Sequence, residues 1–266
     1  MKTKEWFKEY HSDDFYISFK IGKPLETKKT EYQKIEVFHN NFWGNILALD
    51  GLIMLTEKDE FFYHESIAHP PFFLNKDIKN VIIIGGGDGG TLREVLKHNV
   101  EKVYLVEIDK EVVKLSKRYF PSTASSFDDK RTEIVFEDGV KFIENYNGKA
   151  ELIIIDSSEP IGPSQVLFKK EFYKTLHSKT FDDGIIVSQI GSLLFHKDFV
   201  FNFFKEVNSL FNYSVLYTGS TPTYPGGVWT YGLFSKSVNP LKDNYEHTDI
   251  DYKYMNEWRF KGSILR

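Results

Sequence analysis

Val81-Ile82-Ile83-Ile84-Gly85-Gly86-Gly87-Asp88-Gly89-Gly90 decides the fold. Four apolar residues run straight into a glycine-rich turn that carries one acid. Leu92, Val95 and Leu96 then share one face of a helical repeat. Strand, tight glycine turn and helix is how a doubly wound sheet brings bare backbone up to a nucleotide-like ligand. The acid narrows the choice of ligand, because a carboxylate repels a diphosphate and attracts a positively charged group.

Outward from this turn, short β-rich runs alternate with helical stretches. The runs are Val81–Ile84, Val103–Val106, Ile134–Phe136, Leu152–Ile155 and Ile185–Val187. This spacing predicts βαβ units, a Rossmann-like α/β fold with a mostly parallel sheet and helices on both faces. The aromatic-rich segment around Phe199–Phe211 predicts a further buried helix. Upstream, Tyr16, Ser18 and Lys20 alternate with Ile17, Phe19 and Ile21, and Gln33–Phe38 alternates again. Gly44–Leu49 and Leu52-Ile53-Met54 flank Asp50-Gly51, a strong hairpin turn. A small antiparallel β domain over 1–55 is therefore expected, followed by a catalytic domain over 56–266. Between them Thr56-Glu57-Lys58-Asp59-Glu60 reads as a helix start with Thr56 as cap. That helix is expected to run through Phe62, Tyr63, Ser66 and Ile67 and to stop near Pro70-Pro71.

Composition bounds the function. The 266 residues are 41% hydrophobic, enough for a packed core. The net charge is -4, from 34 basic and 38 acidic residues, which argues against nucleic-acid and membrane-surface partners. There is no cysteine, so disulfides, thiolate metal sites and Cys nucleophiles are excluded. Met1-Lys2-Thr3-Lys4-Glu5-Trp6 has no apolar signal core, and a cytoplasmic protein is expected.

Acids and amides end the strands that should line a ligand cleft. Asp88 follows the first, Glu107 closes the second, Asp138-Gly139 follows the third, Asp156 ends the fourth with Glu159 three residues on, and Gln189 ends the fifth. Glu107 lies about twenty residues after the glycine turn, where such folds place a ribose-hydroxyl acceptor. Taken alone, Asp138-Gly139 is equally an ordinary turn, and Asp156 resembles a helix cap. Pro160-Ile161-Gly162-Pro163 favours a rigid loop after it. Tyr63 on a helix face is more often core or surface than catalytic. Carboxylates crowded into one crevice need a cation or a proton between them. Without paired-His spacing they do not read as a metal cage, and an organic cation is the simpler counter-ion.

The chain resembles the spermidine synthase (polyamine aminopropyltransferase) family. The resemblance is carried by Tyr32-Gln33, Thr56–Glu65, GGGDGG at 85–90 with Leu92-Arg93-Glu94, Val106–Asp109, Asp138-Gly139, Asp156–Pro163 and Thr221–Gly227, in the family's order. It implies transfer of an aminopropyl group from decarboxylated S-adenosylmethionine to a diamine, with methylthioadenosine as product and no prosthetic group or metal. By resemblance, Gln33, Glu107, Asp138, Gly139 and Pro163 hold the adenosine part. Asp88 holds the aminopropyl amine and Asp156 accepts the proton. Tyr63, His64, Ser157, Ser158, Glu159 and Tyr224 line the diamine channel, which Trp6, Gln189 and Trp229 help to close. A homodimer or homotetramer formed through the N-terminal β region is implied too. Two features depart from the family pattern. Glu159 stands where Asp is usual, and Tyr252–Trp258 only partly follows the usual C-terminal residues.

The chemistry fits this set. The amine attacks a carbon next to sulfonium, which leaves as a neutral thioether. An alkylammonium of pKa ~10.4 is free amine at pH 7 only about once in 2,500, a handicap of roughly 4–5 kcal/mol. A carboxylate whose proton affinity is raised by neighbouring carboxylates relieves it. Three other functions use the same glycine turn: a diamine N-methyltransferase using intact S-adenosylmethionine, a dinucleotide-dependent dehydrogenase, and a silent nucleoside-binding protein. Asp88 disfavours the first two, since it faces a carboxylate in one donor and a diphosphate in the other. Asp156 and Tyr63 disfavour the third.

Overall fold

The computed structural model describes residues 5–158, 162–242 and 245–265. Six antiparallel strands come first: β1 (Glu5–Ser12), β2 (Phe15–Ile21), β3 (Glu26–Lys29), β4 (Lys34–Asn40), β5 (Gly44–Leu49) and β6 (Leu52–Thr56). They form two sheets rather than one unit. β1 and β2 make a hairpin, and β3-β4-β5-β6 make a four-stranded meander. The β5–β6 turn has φ of 48° at Asp50 and 85° at Gly51, the left-handed pair that a two-residue hairpin requires.

The chain continues through α1 (Glu60–Ala68), α2 (Pro70–Leu74), β7 (Asn80–Gly85), α3 (Gly90–Leu96), β8 (Lys102–Val106), α4 (Lys110–Tyr119), α5 (Pro121–Ala124), β9 (Thr132–Val135) and α6 (Gly139–Asn145). Next come β10 (Ala150–Asp156), α7 (Lys170–Lys179), β11 (Thr180–Gly191), α8 (Lys197–Asn208), β12 (Tyr213–Ser220), β13 (Val228–Ser235) and α9 (Glu257–Ser263). The strands β7–β13 form one sheet in the order β12-β13-β11-β10-β7-β8-β9. All pairs from β11 to β9 are parallel, while β13 is antiparallel to β11 and β12.

Both faces of this sheet are covered, so its central strands are apolar at every position. Val81, Ile83, Leu152 and Ile154 pack into the core beneath α1–α3 and α9. Ile82, Ile84, Ile153 and Ile155 face the opposite core, with Phe172 and Tyr173 of α7 and Val200 and Phe203 of α8. The chain leaves β7 towards β8 on one side and later returns to β10 on the other. That reversal of strand order opens a crevice at the carboxyl ends of β7 and β10, the usual ligand position in open α/β sheets.

Local expectations differ at four places. The Thr56 hydroxyl donates to Asp59 Oδ1 (2.7 Å) instead of capping α1, and Asp59 Oδ2 accepts from the amide and hydroxyl of Thr223. α1 ends at Ala68, as expected near Pro70-Pro71, and Pro70 then opens a short helix, because proline at the first helical position sacrifices no hydrogen bond. β9 ends before Phe136, which is half exposed. α8 is amphipathic: Val200, Phe203 and Val207 are buried, while Phe201 is exposed. Strands β12 and β13 were not predicted. They extend the sheet and bring Tyr224 and Trp229 to the crevice.

Candidate active site

The crevice is a cavity of about 190 Å³ between the glycine turn, the ends of β8 and β10, and the β3–β6 sheet above them. Gly85 shapes its floor. Its backbone lies in the left-handed region (φ +84°), which favours glycine, and a Cβ there would sit 2.1 Å from the Asp156 carbonyl oxygen. Without that Cβ, β7 and β10 stay paired to the last residue, Gly85 against Asp156. The Gly86 amide donates to the same carbonyl at 2.9 Å. The turn thus brings Asp88 and Asp156 into one space.

At one end of the cavity lie Gln33, Glu107, Asp138 and Gly139, with Ile108, Val140 and Leu167 as apolar walls. Glu107 Oε1 accepts from the Asp109 amide (2.9 Å), and Asp109 Oδ2 accepts from Gln33 Nε2 (3.2 Å) and the Thr30 hydroxyl (2.7 Å). Burial, with the Asp109 and Asp88 charges, pushes the Glu107 carboxyl up to about 7. Asp138 caps α6 by accepting from the amides of Val140 and Lys141, so its turn role and its place on the cavity wall coexist.

Tyr63, Asp88, Asp156, Ser157, Ser158 and Tyr224 line the other end. The Tyr63 hydroxyl donates to Asp156 Oδ1 and the Thr91 hydroxyl to Oδ2, both at 2.6 Å. Burial and then the Asp88 charge raise the proton affinity of Asp156 despite those donors. Burial also pushes Asp88 up, but His64 and the Gly90 amide outweigh it and hold Asp88 below the usual carboxylate range. The two carboxyls therefore differ in proton affinity, Asp156 lying above and Asp88 below the usual carboxylate range. Burial and the Asp156 charge raise the Tyr63 phenol well above its ordinary value, which keeps it a donor.

A smaller cavity of about 30 Å³ shares Tyr63, Ser157, Ser158 and Tyr224 as walls and is completed by Glu9, Gln189 and Trp229. Gln189 Nε2 donates to the Ser157 carbonyl (2.8 Å) and Trp229 Nε1 to Gln189 Oε1 (3.0 Å), fixing that end. Tyr224 hydrogen-bonds the Met54 carbonyl and so joins the N-terminal meander to the cleft.

Two expected positions are corrected. His64 does not line a channel; it is buried behind Asp88, its Nε2 3.2 Å from Asp88 Oδ1. Trp6 lies on β1, 57% exposed and outside both cavities, because it is on the solvent side of the hairpin. Glu159 falls outside the described residues, and so does the Pro163 side chain. Sequence reasoning missed Thr91, Glu60 and Glu9. Thr91 directly follows the glycine turn, which was its only signal. Glu60 sits one turn before His64. Glu9 becomes a wall residue through strand pairing, its Oε2 accepting from the Ile53 amide (2.9 Å).

Among the described residues, Glu65, His69 and Glu94 are close enough to share a metal ion. Their atoms are already committed: Glu65 accepts the amides of Lys253, Tyr254 and Met255, and Glu94 binds Arg93, Lys97 and His69. No helix among the described residues is long and apolar enough to cross a membrane.

Both the sequence and the fold match known proteins. Residues 60–244 match the spermine/spermidine synthase domain, and residues 5–57 match the spermidine synthase tetramerisation domain. A polyamine aminopropyltransferase of Caldicellulosiruptor saccharolyticus is 42% identical over 94% of this chain and 91% of its own length. One from Bacillus mycoides is 43% identical with the same coverage. A crystal structure of spermidine synthase in complex with the transition-state analogue AdoDATO superposes with a TM-score of 0.95 at 35% identity, covering 100% of this chain and 94% of that one. Spermidine synthase from Thermotoga maritima gives 0.93 at 35% identity, covering 99% and 92%. The chain belongs to the spermidine synthase family and is a polyamine aminopropyltransferase, an alkyl-group transferase carrying the family's oligomerisation module.

Proposed function

We propose that this aminopropyltransferase takes decarboxylated S-adenosylmethionine as donor and putrescine as acceptor, giving spermidine and methylthioadenosine. The observation that carries this reading is the Asp88–Asp156 pair, two half-buried carboxyls of opposed proton affinity lining the same cavity as the buried Glu107. Gln33, Glu107, Asp138, Gly139 and Pro163 bind the nucleoside. Asp88 binds the aminopropyl ammonium. One amine of putrescine lies beside Asp156 and Tyr63, and the other points towards Glu9, Gln189 and Trp229. The amine nitrogen forms a bond to the carbon next to sulfur as the carbon–sulfur bond breaks. The sulfur keeps the electron pair, and the amine proton passes to Asp156. Most of the remaining acceleration comes from holding nitrogen, carbon and sulfur in line. The protein works as a cytoplasmic homodimer or homotetramer through residues 1–55, with residues 56–266 as the catalytic unit.

A diamine panel with decarboxylated and intact S-adenosylmethionine, read by mass spectrometry, tests the assignment. Spermidine from putrescine and the decarboxylated donor is expected. Methylated diamine from the intact donor contradicts it. Glu159 adds a preference. If it lines the channel as the family resemblance implies, its side chain is longer than Asp by one C–C bond, ~1.5 Å, so kcat/KM is expected to be higher for putrescine than for cadaverine. Steady-state kinetics favouring cadaverine would refute this.

Glu107 trades stability for binding. Its carboxyl is raised from 4.5 to about 7 on folding, so folding favours the protonated form. Stability therefore falls as pH rises from 4.5 through 7, by roughly 3 kcal/mol at most. Glu107→Gln is expected to raise Tm of the ligand-free protein at pH 8 but not at pH 4.5, and to weaken methylthioadenosine binding at least about tenfold. Differential scanning fluorimetry and calorimetry check both halves.

A further inference from the structure

A buried file of charges runs back from the cleft. Asp88 Oδ1 lies 3.2 Å from His64 Nε2, and His64 Nδ1 lies 2.6 Å from Glu60 Oε2. Arg93 donates through both terminal nitrogens to both Glu60 oxygens at 2.8 Å, and through Nε to Glu94 Oε1 at 2.7 Å. Glu94 in turn holds His69 Nε2 at 3.0 Å. Glu60, His64 and Glu94 are all buried. Each ring nitrogen of His64 faces a carboxylate oxygen. A neutral imidazole has one N–H, so its other nitrogen would present a lone pair to an anion; only the imidazolium satisfies both contacts. Space for the ring comes from Gly90, where a Cβ would stand 2.1 Å from His64 Cε1.

We propose that Glu60, clamped by Arg93, is a positioning residue for the transfer: by gripping His64 against Asp88 it decides which cleft carboxyl holds the cation and which takes the proton. Asp88 and Asp156 line one cavity and the Asp88 charge acts on Asp156; two unbiased interacting carboxyls share protons as a pair, with neither committed to a role. A cation hydrogen-bonded to one of them breaks the tie. His64 and the Gly90 amide both donate to Asp88 Oδ1, which leaves Oδ2 for the aminopropyl ammonium. Burial alone would discharge His64, but Asp88 and Glu60 hold its proton up to about pH 10. The charged and titratable groups facing this file are Glu60 and Tyr63 on α1, Asp88 in the turn, Arg93 and Glu94 on α3, and Asp156 on β10. The inference rests on Asp88 as ammonium holder and Asp156 as proton acceptor.

The test is 15N NMR of histidine-labelled protein, with the His64 signal assigned by its loss in His64→Gln. In wild type, both ring nitrogens are expected to stay protonated from pH 6 to 9. In Glu60→Gln, His64 is expected to lose its proton within that range. Both cleft carboxyls then lose their nearby cation, and the acid limb of kcat/KM for the diamine is expected to move up by about one pH unit. Glu60→Asp keeps the charge and is expected to restore the wild-type limb. Gly90→Ala, which crowds the ring from the other side, is expected to move it as Glu60→Gln does. A neutral His64 in wild type at pH 7.5 overturns the proposal, and this reading needs neither Glu60→Gln nor Gly90→Ala to fold. An unmoved acid limb in Glu60→Gln also overturns it. If Asp156→Asn is inactive while Glu60→Gln has a wild-type profile, only the Glu60 role fails. If Asp156→Asn is fully active, the proton-acceptor reading fails whatever the His64 signal shows.

Discussion

Asp156→Asn is expected to lower kcat by about 10²- to 10⁴-fold at pH 7. The asparagine keeps the shape of the site, but its single oxygen can accept only one of the Tyr63 and Thr91 hydrogen bonds, both 2.6 Å in the native protein, and its NH2 must donate to the other hydroxyl. It cannot take the amine proton. The variant must then use the small fraction of acceptor already unprotonated in solution, which grows about tenfold per pH unit up to pH ~10.4. Its activity should therefore climb steeply between pH 7 and 9, where the wild-type rate has levelled off. Steady-state kinetics across this range decide the point. Activity within threefold of wild type at pH 7 would remove Asp156 from the base role. A uniform loss with no recovery at high pH would assign it to binding alone.

Asp88→Asn is expected to cost about 2–5 kcal/mol in kcat/KM for the nucleoside donor, the usual loss when one partner of a buried charge pair is removed. Methylthioadenosine has no aminopropyl ammonium, so its affinity should change by less than about threefold. The pH profile carries a second signature. The Asp88 charge raises the proton affinity of Asp156, and its removal should shift the acid limb to lower pH. Loss of the His64 cation is expected to shift it upward. Opposite shifts from Asp88→Asn and Glu60→Gln would be difficult to obtain from general damage to the fold. Calorimetry with methylthioadenosine and kinetics with the full donor separate binding of the nucleoside from binding of its cationic arm.

The parallel core of the sheet was legible because its strands are short apolar runs that end in, or lead into, an acid or amide, as at Ile155-Asp156 and Val106-Glu107. Two-sided burial demands such runs, and strand-end chemistry demands the acids. The antiparallel strands were less legible. β1 carries Lys8 and Glu9 among aromatics, and its partner is β2, so its alternation is weak when read alone. β13 contains Gly232, whose Cβ would meet the Phe234 ring at 2.8 Å. That glycine breaks the pattern while serving the packing. Most of the cavity-lining residues lay in motifs that could be read along the chain. What could not be read was depth. Nothing in Tyr63-His64 says that the tyrosine faces the cavity and the histidine sits behind Asp88. That follows from α1 packing against α3 where Gly90 leaves room for a ring. Thr91 and Asp156 are 65 residues apart and meet only because β7 and β10 are neighbours.

A crystal structure of this chain with methylthioadenosine and putrescine would test the central claim most directly. The ribose hydroxyls are expected within hydrogen-bonding distance of Glu107, and one putrescine nitrogen within the same distance of Asp156, with Asp88 beside the path of the transferred arm. A diamine bound away from Asp156, or a nucleoside whose ribose turns from Glu107, would contradict the account.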